Sequence, residues 1–186
     1  MVNTQSDCSI KKGDLYSSSG VSMRPIKFLY IDEADRCSAE TNSKEGDPVG
    51  LSRLRLSTFP GRKILMVSSP TLSGVSRIES AFLASTQEYC YLPCPHCGEP
   101  QRLAWNRLDF KSAEMSCEAC KEGAPQSAWL GGAGEWRAHA GEVAVVRGFH
   151  IPGLCSQMLT WRELITEWQE ANRLAEEGEE AVGPIV

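Results

Sequence analysis

The stretch IKFLYIDEAD, residues 26–35, decides the fold. Its first six residues are almost all apolar, which is typical of a parallel β-strand that is buried on both faces. The run stops at Asp32 and Glu33, where the carboxyl end of a parallel strand opens onto the crevice in which α/β sheets bind ligands. The sequence therefore predicts a strand that delivers two acids to a binding site.

A second apolar run, residues 64–67, is followed by the polar sequence SSPT, residues 68–71. Between the two runs, Asp47 and Pro48 have the residue types of a helix N-cap and a first helical residue. That helix is predicted to run to about Thr58. Strand, helix and strand in this order predict a βαβ unit with two parallel strands and a right-handed crossover.

The residues at the two strand ends suit nucleotide hydrolysis. Asp32 is placed to hold a hydrated Mg²⁺ that bridges phosphates, and Glu33 to orient the attacking water. In many such motors a small hydroxyl residue on the neighbouring strand end senses the phosphate and couples it to movement. The candidates for that role, and for contact with the nucleotide, are Ser68, Ser69 and Thr71.

The loop that cradles phosphates in these enzymes is not found in the sequence. No stretch matches G-x-x-x-x-G-K-[ST], and the nearest glycines, in residues 17–20 and 61–63, lack the pattern. We therefore expect this chain to be one part of a longer motor, with weak nucleotide binding and no ATP hydrolysis of its own.

The cysteines predict a metal site. Two C-x-x-C pairs, separated by 19 residues, have the spacing of a structural zinc site, and a chain without secretory features favours metal ligation over disulfides. Four thiolates would close a tetrahedral shell with no open position, so the role would be structural. His96 lies within the first pair and could replace one thiolate. The predicted zinc ligands are Cys94, Cys97, Cys117 and Cys120.

Further along the chain, residues 88–92 have an extended pattern, residues 121–135 are typical of a loop, and strand character returns at residues 143–146 and 149–151. Thr160 and Glu163 have capping-box spacing. They open a helix whose apolar stripe is expected to pack into the core: Trp161, Leu164, Ile165 and Trp168.

Bulk properties limit the classes of function. The 186 residues carry a formal net charge of −5, which argues against binding nucleic acid by overall charge. No apolar run is long enough for a membrane span, so no membrane partner is expected and the location is expected to be cytoplasmic. A local basic cluster is present, although a solvated surface is the favoured interpretation for its members: Arg53, Arg55, Arg62 and Lys63.

Together these motifs resemble the large terminase subunit of lambda-type tailed phages, over about residues 24–171. The segments that carry the resemblance are RPIKFLYIDEAD from residue 24, EGDP from residue 45, KILMVSSPT from residue 63, YLPCPHCG from residue 91 and GFHI from residue 148. Their order matters more than any one of them. The most particular is PCPHCG.

The resemblance implies an ATPase that drives double-stranded viral DNA into a preformed capsid, coupled to a C-terminal nuclease that cuts concatemers. By match, Asp32 is the Mg²⁺ acid, Glu33 the hydrolytic glutamate, and residues 68–71 the coupling motif. The implied cofactors are Mg²⁺ with ATP, and structural Zn²⁺. The implied partners are the small terminase subunit, the portal and further copies of the subunit, in a bacterial host cell. The family's phosphate loop would lie upstream of this sequence and its nuclease downstream.

The expected architecture is an α/β, partial P-loop-type parallel-sheet ATPase core with an inserted or appended zinc ribbon. Residues 1–24 remain unassigned, and residues 25–90 form the C-terminal half of the ATPase core. Residues 91–125 form the zinc ribbon, and residues 126–186 the return strands and an amphipathic helix.

Two other interpretations stay open. Residues 32–35 spell the signature of DEAD-box RNA helicases and a Ser-rich strand end follows, but a helicase gives no reason for the cysteine pairs. A non-catalytic zinc-ribbon binding module from a degenerate prophage gene would explain the missing phosphate loop. The intact Asp32 and Glu33 argue against it.

Overall fold

The computed structural model describes residues 27–37, 47–141 and 145–177. The predicted N-terminal segment, residues 1–24, lies outside them. The chain divides by its contacts into two units, the first reaching to Ala81 and the second beginning at Phe82. No helix among the described residues is long and apolar enough to cross a membrane.

In the first unit, two strands pair in parallel, as predicted. Strand β1 (Phe28–Ile31) aligns with β2 (Lys63–Met66), from Phe28 opposite Lys63 to Ile31 opposite Met66. Backbone hydrogen bonds continue beyond the strands, because Val67 N–H donates to the Ile31 carbonyl (2.9 Å) and Ala34 N–H donates to the Val67 carbonyl (3.2 Å). The two strand ends therefore stay together past the last strand residue.

Helix α1 (Pro48–Leu54) joins the two strands. Its N-cap is Asp47, whose carboxylate accepts a hydrogen bond from Gly50 N–H at 2.9 Å, and Pro48 is the first helical residue. Both predictions are confirmed. The predicted extent to about Thr58 is wrong, because the chain passes into turns after Leu54.

The core of the first unit is small. Ile31, Ala34, Cys37 and Val49 are buried, with Leu29 and Met66 packed against them. The expectation that β1 is buried on both faces is wrong for Tyr30, which is 56% exposed. Within residues 27–37, 47–141 and 145–177 the strand pairs with β2 alone, and its side chains alternate between faces, so Ile31 enters the core while Tyr30 faces out.

The described residues of the second unit form two sheets. Strand β3 (Glu88–Pro93) is central in the first and confirms the extended pattern predicted there. It pairs antiparallel with β4 (Pro100–Gln101) and β8 (Glu135–Ala138), and parallel with β9 (Phe149–His150). The second sheet is antiparallel, with three strands in the order β5 (Leu108–Asp109), β6 (Glu114–Ser116) and β7 (Gly123–Pro125).

The remaining helices are α2 (Arg77–Leu83), α3 (Gln126–Leu130) and α4 (Trp161–Glu176). The prediction of a loop over residues 121–135 is wrong, because β7, α3 and the start of β8 fall there. Packing of Trp129 stabilises helix α3. This side chain is fully buried, and its indole N–H donates to the Met115 carbonyl. Of the predicted strand over residues 143–146, residues 145 and 146 belong to no strand, and residues 143 and 144 fall outside the described residues.

Helix α4 begins as predicted. The Thr160 side chain accepts a hydrogen bond from Glu163 N–H, while the Glu163 carboxylate accepts one from Thr160 N–H, so the capping box is complete. Trp161 and Ile165 of its apolar stripe are buried, which confirms core packing. They join a cluster that also contains Leu92, Leu103, Leu108, Met115, Trp129 and Leu154.

Candidate nucleotide and metal sites

The predicted acids and hydroxyls lie at one edge of the first unit, because parallel strands end on the same side. Asp32 and Glu33 directly follow β1 and are exposed. Glu33 has a left-handed backbone (φ 51°), and its carboxylate lies 3.2 Å from Arg36 Nε. In the described part of the chain, the Asp32 carboxylate accepts a hydrogen bond from Glu33 N–H (3.1 Å).

A third acid, Asp35, joins the two strand ends. Its backbone N–H donates to Ser68 Oγ at 3.1 Å. Its carboxylate accepts from the N–H of Thr71 (2.9 Å), the hydroxyl of Thr71 (3.1 Å) and the N–H of Ile78 (2.7 Å). The predicted hydroxyls Ser68 and Thr71 therefore contact Asp35 and not Asp32 or Glu33.

The pKa of Asp35 lies below its usual value. Burial works to raise this pKa, but hydrogen bonds from Ser76, Ile78 and Thr71 outweigh it. The ionised carboxylate is thus held by donors on two segments after β2. The sequence shows an acid four residues beyond the end of β1, yet it gives no sign of which acid turns toward the neighbouring strand.

Ser68 has a second contact, since its hydroxyl donates to the Ser69 carbonyl at 3.0 Å. Ser69 itself is exposed. The hydroxyls of Ser68 and Thr71 are therefore engaged within the chain, whereas Asp32 faces solvent with carboxylate oxygens available. Oxygen donors of this kind are what Mg²⁺ prefers.

The second candidate site is formed by the four predicted cysteines, whose sulfurs all lie within 4.8 Å of one another. Cys94 Sγ lies 3.8 Å from Cys120 Sγ, and Cys97 Sγ lies 3.7 Å from Cys117 Sγ. A tetrahedral zinc with Zn–S bonds of about 2.3 Å requires sulfurs about 3.8 Å apart. The four sulfurs could therefore hold zinc.

The two C-x-x-C turns share one backbone pattern. In the first, Cys94 N–H donates to the Glu99 carbonyl and Gly98 N–H donates to the Cys94 carbonyl. In the second, Cys117 N–H donates to the Glu122 carbonyl and Lys121 N–H to the Cys117 carbonyl. Each turn also points an N–H at its first sulfur, from His96 (3.4 Å) and Ala119 (3.3 Å).

His96 stands outside the ligand set. Its Nε2 lies 3.0 Å from the carbonyl oxygen of Gly123, at the start of β7, so the ring links the first cysteine turn to the strand after the second. The remaining described cysteines, Cys37, Cys90 and Cys155, lie outside the cluster, and Cys8 falls outside the described residues.

Gln101 supports the cysteine cluster, a role that the sequence did not reveal. The residue is buried, and its amide N–H donates to Cys117 Sγ at 3.1 Å while its amide oxygen accepts from Glu118 N–H at 2.9 Å. That oxygen also accepts from the Arg107 guanidinium, which donates to the Ser116 carbonyl as well. A buried glutamine seven residues after a cysteine has no recognisable sequence signal.

The electrostatics of the cluster favour a cation. Burial works to raise the pKa of Cys117, but hydrogen bonds from Cys120 N–H and Gln101 lower it to about 6. A backbone hydrogen bond works to lower the pKa of Cys120. Burial and the hydrogen bonds with the adjacent thiols outweigh it and raise this pKa to about 12. The site thus stabilises one thiolate and resists further negative charge, which a divalent metal would neutralise.

Comparison with protein families matches residues 4–136 to the family described as phage terminase large subunit gpA, ATPase domain. A large terminase subunit of Enterobacteria phage P21 is 28% identical over 202 residues. That alignment covers 86% of this chain and 31% of the phage protein, so the chain spans about a third of that relative's length. No solved structure matches.

Proposed function

The chain belongs to the family of phage terminase large subunits (gpA, ATPase domain), and we propose that it forms part of a motor that hydrolyses ATP to package viral DNA. The observation that carries the proposal is the pair of parallel strand ends, with Asp32 and Glu33 on one and the Ser68–Thr71 segment on the other. The hydrogen bonds of Asp35 tie these ends together.

In this proposal Asp32 is the ligand for Mg²⁺, because its carboxylate faces solvent beyond the sheet edge. A bound Mg²⁺ would neutralise negative charge on the phosphates of ATP. Glu33 orients and polarises the attacking water, and its left-handed backbone turns it away from the line of β1. Ser68, Ser69 and Thr71 sense the phosphate, and Asp35 transmits their position to β1.

The four clustered cysteines would hold a structural Zn²⁺. The closed sulfur set leaves no position for water, so the metal would fold the ribbon and not take part in hydrolysis. The proposed domain boundaries are unchanged. Residues 25–90 form the C-terminal half of the ATPase core, residues 91–125 form the zinc ribbon, and residues 126–186 form the return strands and an amphipathic helix. These three boundaries stay predictions.

The partners follow from the proposed motor. They are double-stranded viral DNA, the small terminase subunit, the portal and further copies of the subunit, within the cytoplasm of a bacterial host. The helicase and binding-module interpretations receive no support from the comparisons, whereas the packaging interpretation is supported by a family model and a relative that both carry the name of a terminase large subunit.

The proposal is tested by measuring ATP hydrolysis by the full-length protein. We expect Glu33→Gln to lower kcat by roughly 100-fold or more while Mg²⁺-ATP still binds, because general-base help contributes about 10²–10⁴-fold. Asp32→Asn should weaken the Mg²⁺ dependence of binding. Glu167→Gln, which changes an exposed acid on α4, is the matched control and should hydrolyse ATP normally. Wild-type turnover by Glu33→Gln would refute the assignment.

A further inference from the structure

One face of the first sheet of the second unit collects aromatic and basic side chains. Tyr89 and Tyr91 are two residues apart on β3 and therefore point to the same side. Arg137 lies opposite Tyr89 on β8, and His150 lies opposite Tyr89 on β9. With Arg102 and His139, which contact the same tyrosines, these residues form what we call the basic aromatic face: Tyr89, Tyr91, Arg102, Arg137, His139 and His150.

The side chains of this face hold one another in position. The Arg102 guanidinium lies 3.7 Å from the centre of the Tyr89 ring, and the Arg137 guanidinium lies 4.5 Å from that of Tyr91. The His139 ring packs edge-on against Tyr89 at 5.0 Å, and its Nε2 lies 3.0 Å from the Tyr91 hydroxyl. Such cation–π contacts restrain guanidinium groups that would otherwise move freely.

Arg102 gives the face a net positive charge in a chain whose own net charge is −5. Arg102 makes no salt bridge within the described residues. Arg137 is partly neutralised, because its Nε donates to the Glu135 carboxylate at 2.6 Å. Arg102 therefore carries the stronger free positive charge.

We propose that the basic aromatic face binds the phosphate backbone of duplex DNA, an inference that rests on the proposed packaging function and assigns a contact surface to it. Restrained guanidinium groups, a tyrosine hydroxyl and imidazole N–H groups are all donors suited to phosphate oxygens. Guanidinium groups cover the Tyr89 and Tyr91 rings, so the rings anchor the arginines and do not stack on bases.

Duplex binding to this face should depend on salt. Each phosphate contact contributes a slope of about −0.9 in log affinity against log salt concentration. Removing Arg102 should weaken binding about equally for unrelated DNA sequences and reduce the slope by about 1. Removing Arg137 should have a smaller effect, because Glu135 already pairs with it.

The experiment is a fluorescence anisotropy titration of the full zinc-loaded chain with labelled 30-base-pair duplexes of two unrelated sequences, over a salt series. We compare wild type, Arg102→Gln, Arg137→Gln and the double variant. The matched control is Arg53→Gln with Arg55→Gln, which removes the same charge from two exposed arginines of the first unit. Circular dichroism and zinc content check that each variant is folded.

We expect the double variant to bind at least about 10-fold more weakly at low salt, with a slope reduced by about 1 to 2, and the control to bind within about 2-fold of wild type. Equal losses in the face and control variants would overturn the inference, as would unchanged binding by the double variant or no duplex binding by wild type. A parallel titration uses labelled polyglutamate. A double variant that still binds duplex DNA but no longer binds polyglutamate would assign the face to an acidic protein instead.

These outcomes are separate from the test of the proposed function. A double variant that binds duplex DNA normally contradicts the basic aromatic face, while the effect of Glu33→Gln on ATP hydrolysis stands unchanged. Normal ATP hydrolysis by Glu33→Gln contradicts the motor assignment, whatever the DNA titrations show.

Discussion

The Asp35 carboxylate accepts two hydrogen bonds from Thr71, one from its backbone N–H at 2.9 Å and one from its hydroxyl at 3.1 Å. The two residues are 36 positions apart and follow different strands of the same parallel pair. This contact sets the distance between the acids after β1 and the hydroxyls after β2. We therefore expect the strand-end geometry to depend on Asp35 more than on the acids proposed for catalysis.

Asp35→Ala should loosen the segment after β2. It removes the acceptor for the N–H groups of Thr71 and Ile78, and hydrogen bonds to charged groups are worth about 1.5–3 kcal/mol, with the low end expected at this partly exposed site. Hydrogen exchange of the two amides should accelerate by about 10-fold. Asp32→Asn is the control, because the Asp32 carboxylate accepts its hydrogen bond from the adjacent Glu33 N–H and not from the segment after β2. Equal acceleration of the Thr71 and Ile78 amides in Asp32→Asn would contradict the prediction.

Acid should weaken the same contact. The pKa of Asp35 is lower in the folded chain, so its stabilising effect is complete above the unfolded-state pKa of about 3.9 and disappears as the pH falls through the folded-state value. Protection of the Thr71 amide should therefore decline below about pH 4 in wild type. In Asp35→Asn the protection should be lower and independent of pH over that range. A parallel decline in both proteins would assign the effect to another group.

The four-cysteine cluster should bind about one zinc per chain, because the sulfurs already have tetrahedral spacing. Cys117→Ser should lose the zinc, and its near-ultraviolet circular dichroism should fall, since Trp129 packs in the same core as Cys117. Cys155→Ser removes a partly buried thiol outside the cluster and should keep the metal. Zinc in Cys117→Ser at the wild-type level would exclude a four-sulfur site.

Gln101→Leu should weaken metal binding without removing a ligand. The change deletes the N–H that donates to Cys117 Sγ and the oxygen that accepts from Glu118 N–H. Loss of such supporting contacts costs about 10- to 100-fold in metal affinity, which a Co²⁺ titration followed by Zn²⁺ competition measures. Gln169→Leu, on the exposed side of α4, controls for the substitution itself. An unchanged Zn²⁺ affinity would show that Gln101 serves packing alone.

Arg147→Ala should make the second unit sensitive to pH. The Glu88 side chain is 7% exposed, and Arg147 Nε and Nη2 donate to its carboxylate at 2.7 and 2.6 Å. The hydrogen bonds from Arg147 hold the pKa of Glu88 below its usual value. Without Arg147 the buried carboxylate lacks its counter-charge, so Arg147→Ala should have a higher Tm at pH 5 than at pH 7. Glu88→Gln added to Arg147→Ala should abolish that difference, and its persistence would rule out Glu88 as the source.

The sequence was informative wherever a local pattern determines the structure. Apolar runs predicted β1 and β2, residue types at Asp47 and Thr160 predicted helix starts, and cysteine spacing predicted the cluster. It was uninformative wherever a contact joins distant residues. The turn of Asp35 toward Thr71 depends on the packing of two strand ends, and the placement of Gln101 beside Cys117 depends on the register of β4 against β3.

The two cysteine turns share a backbone pattern but differ at the residue that follows the second cysteine. Gly98 occupies a left-handed conformation (φ 76°) without strain, whereas Lys121 adopts one (φ 66°) at a cost of about 1 kcal/mol. In the absence of metal, the first turn is therefore the easier one to form. A bound metal would then order the turn of Cys117 and Cys120 more than the turn of Cys94 and Cys97.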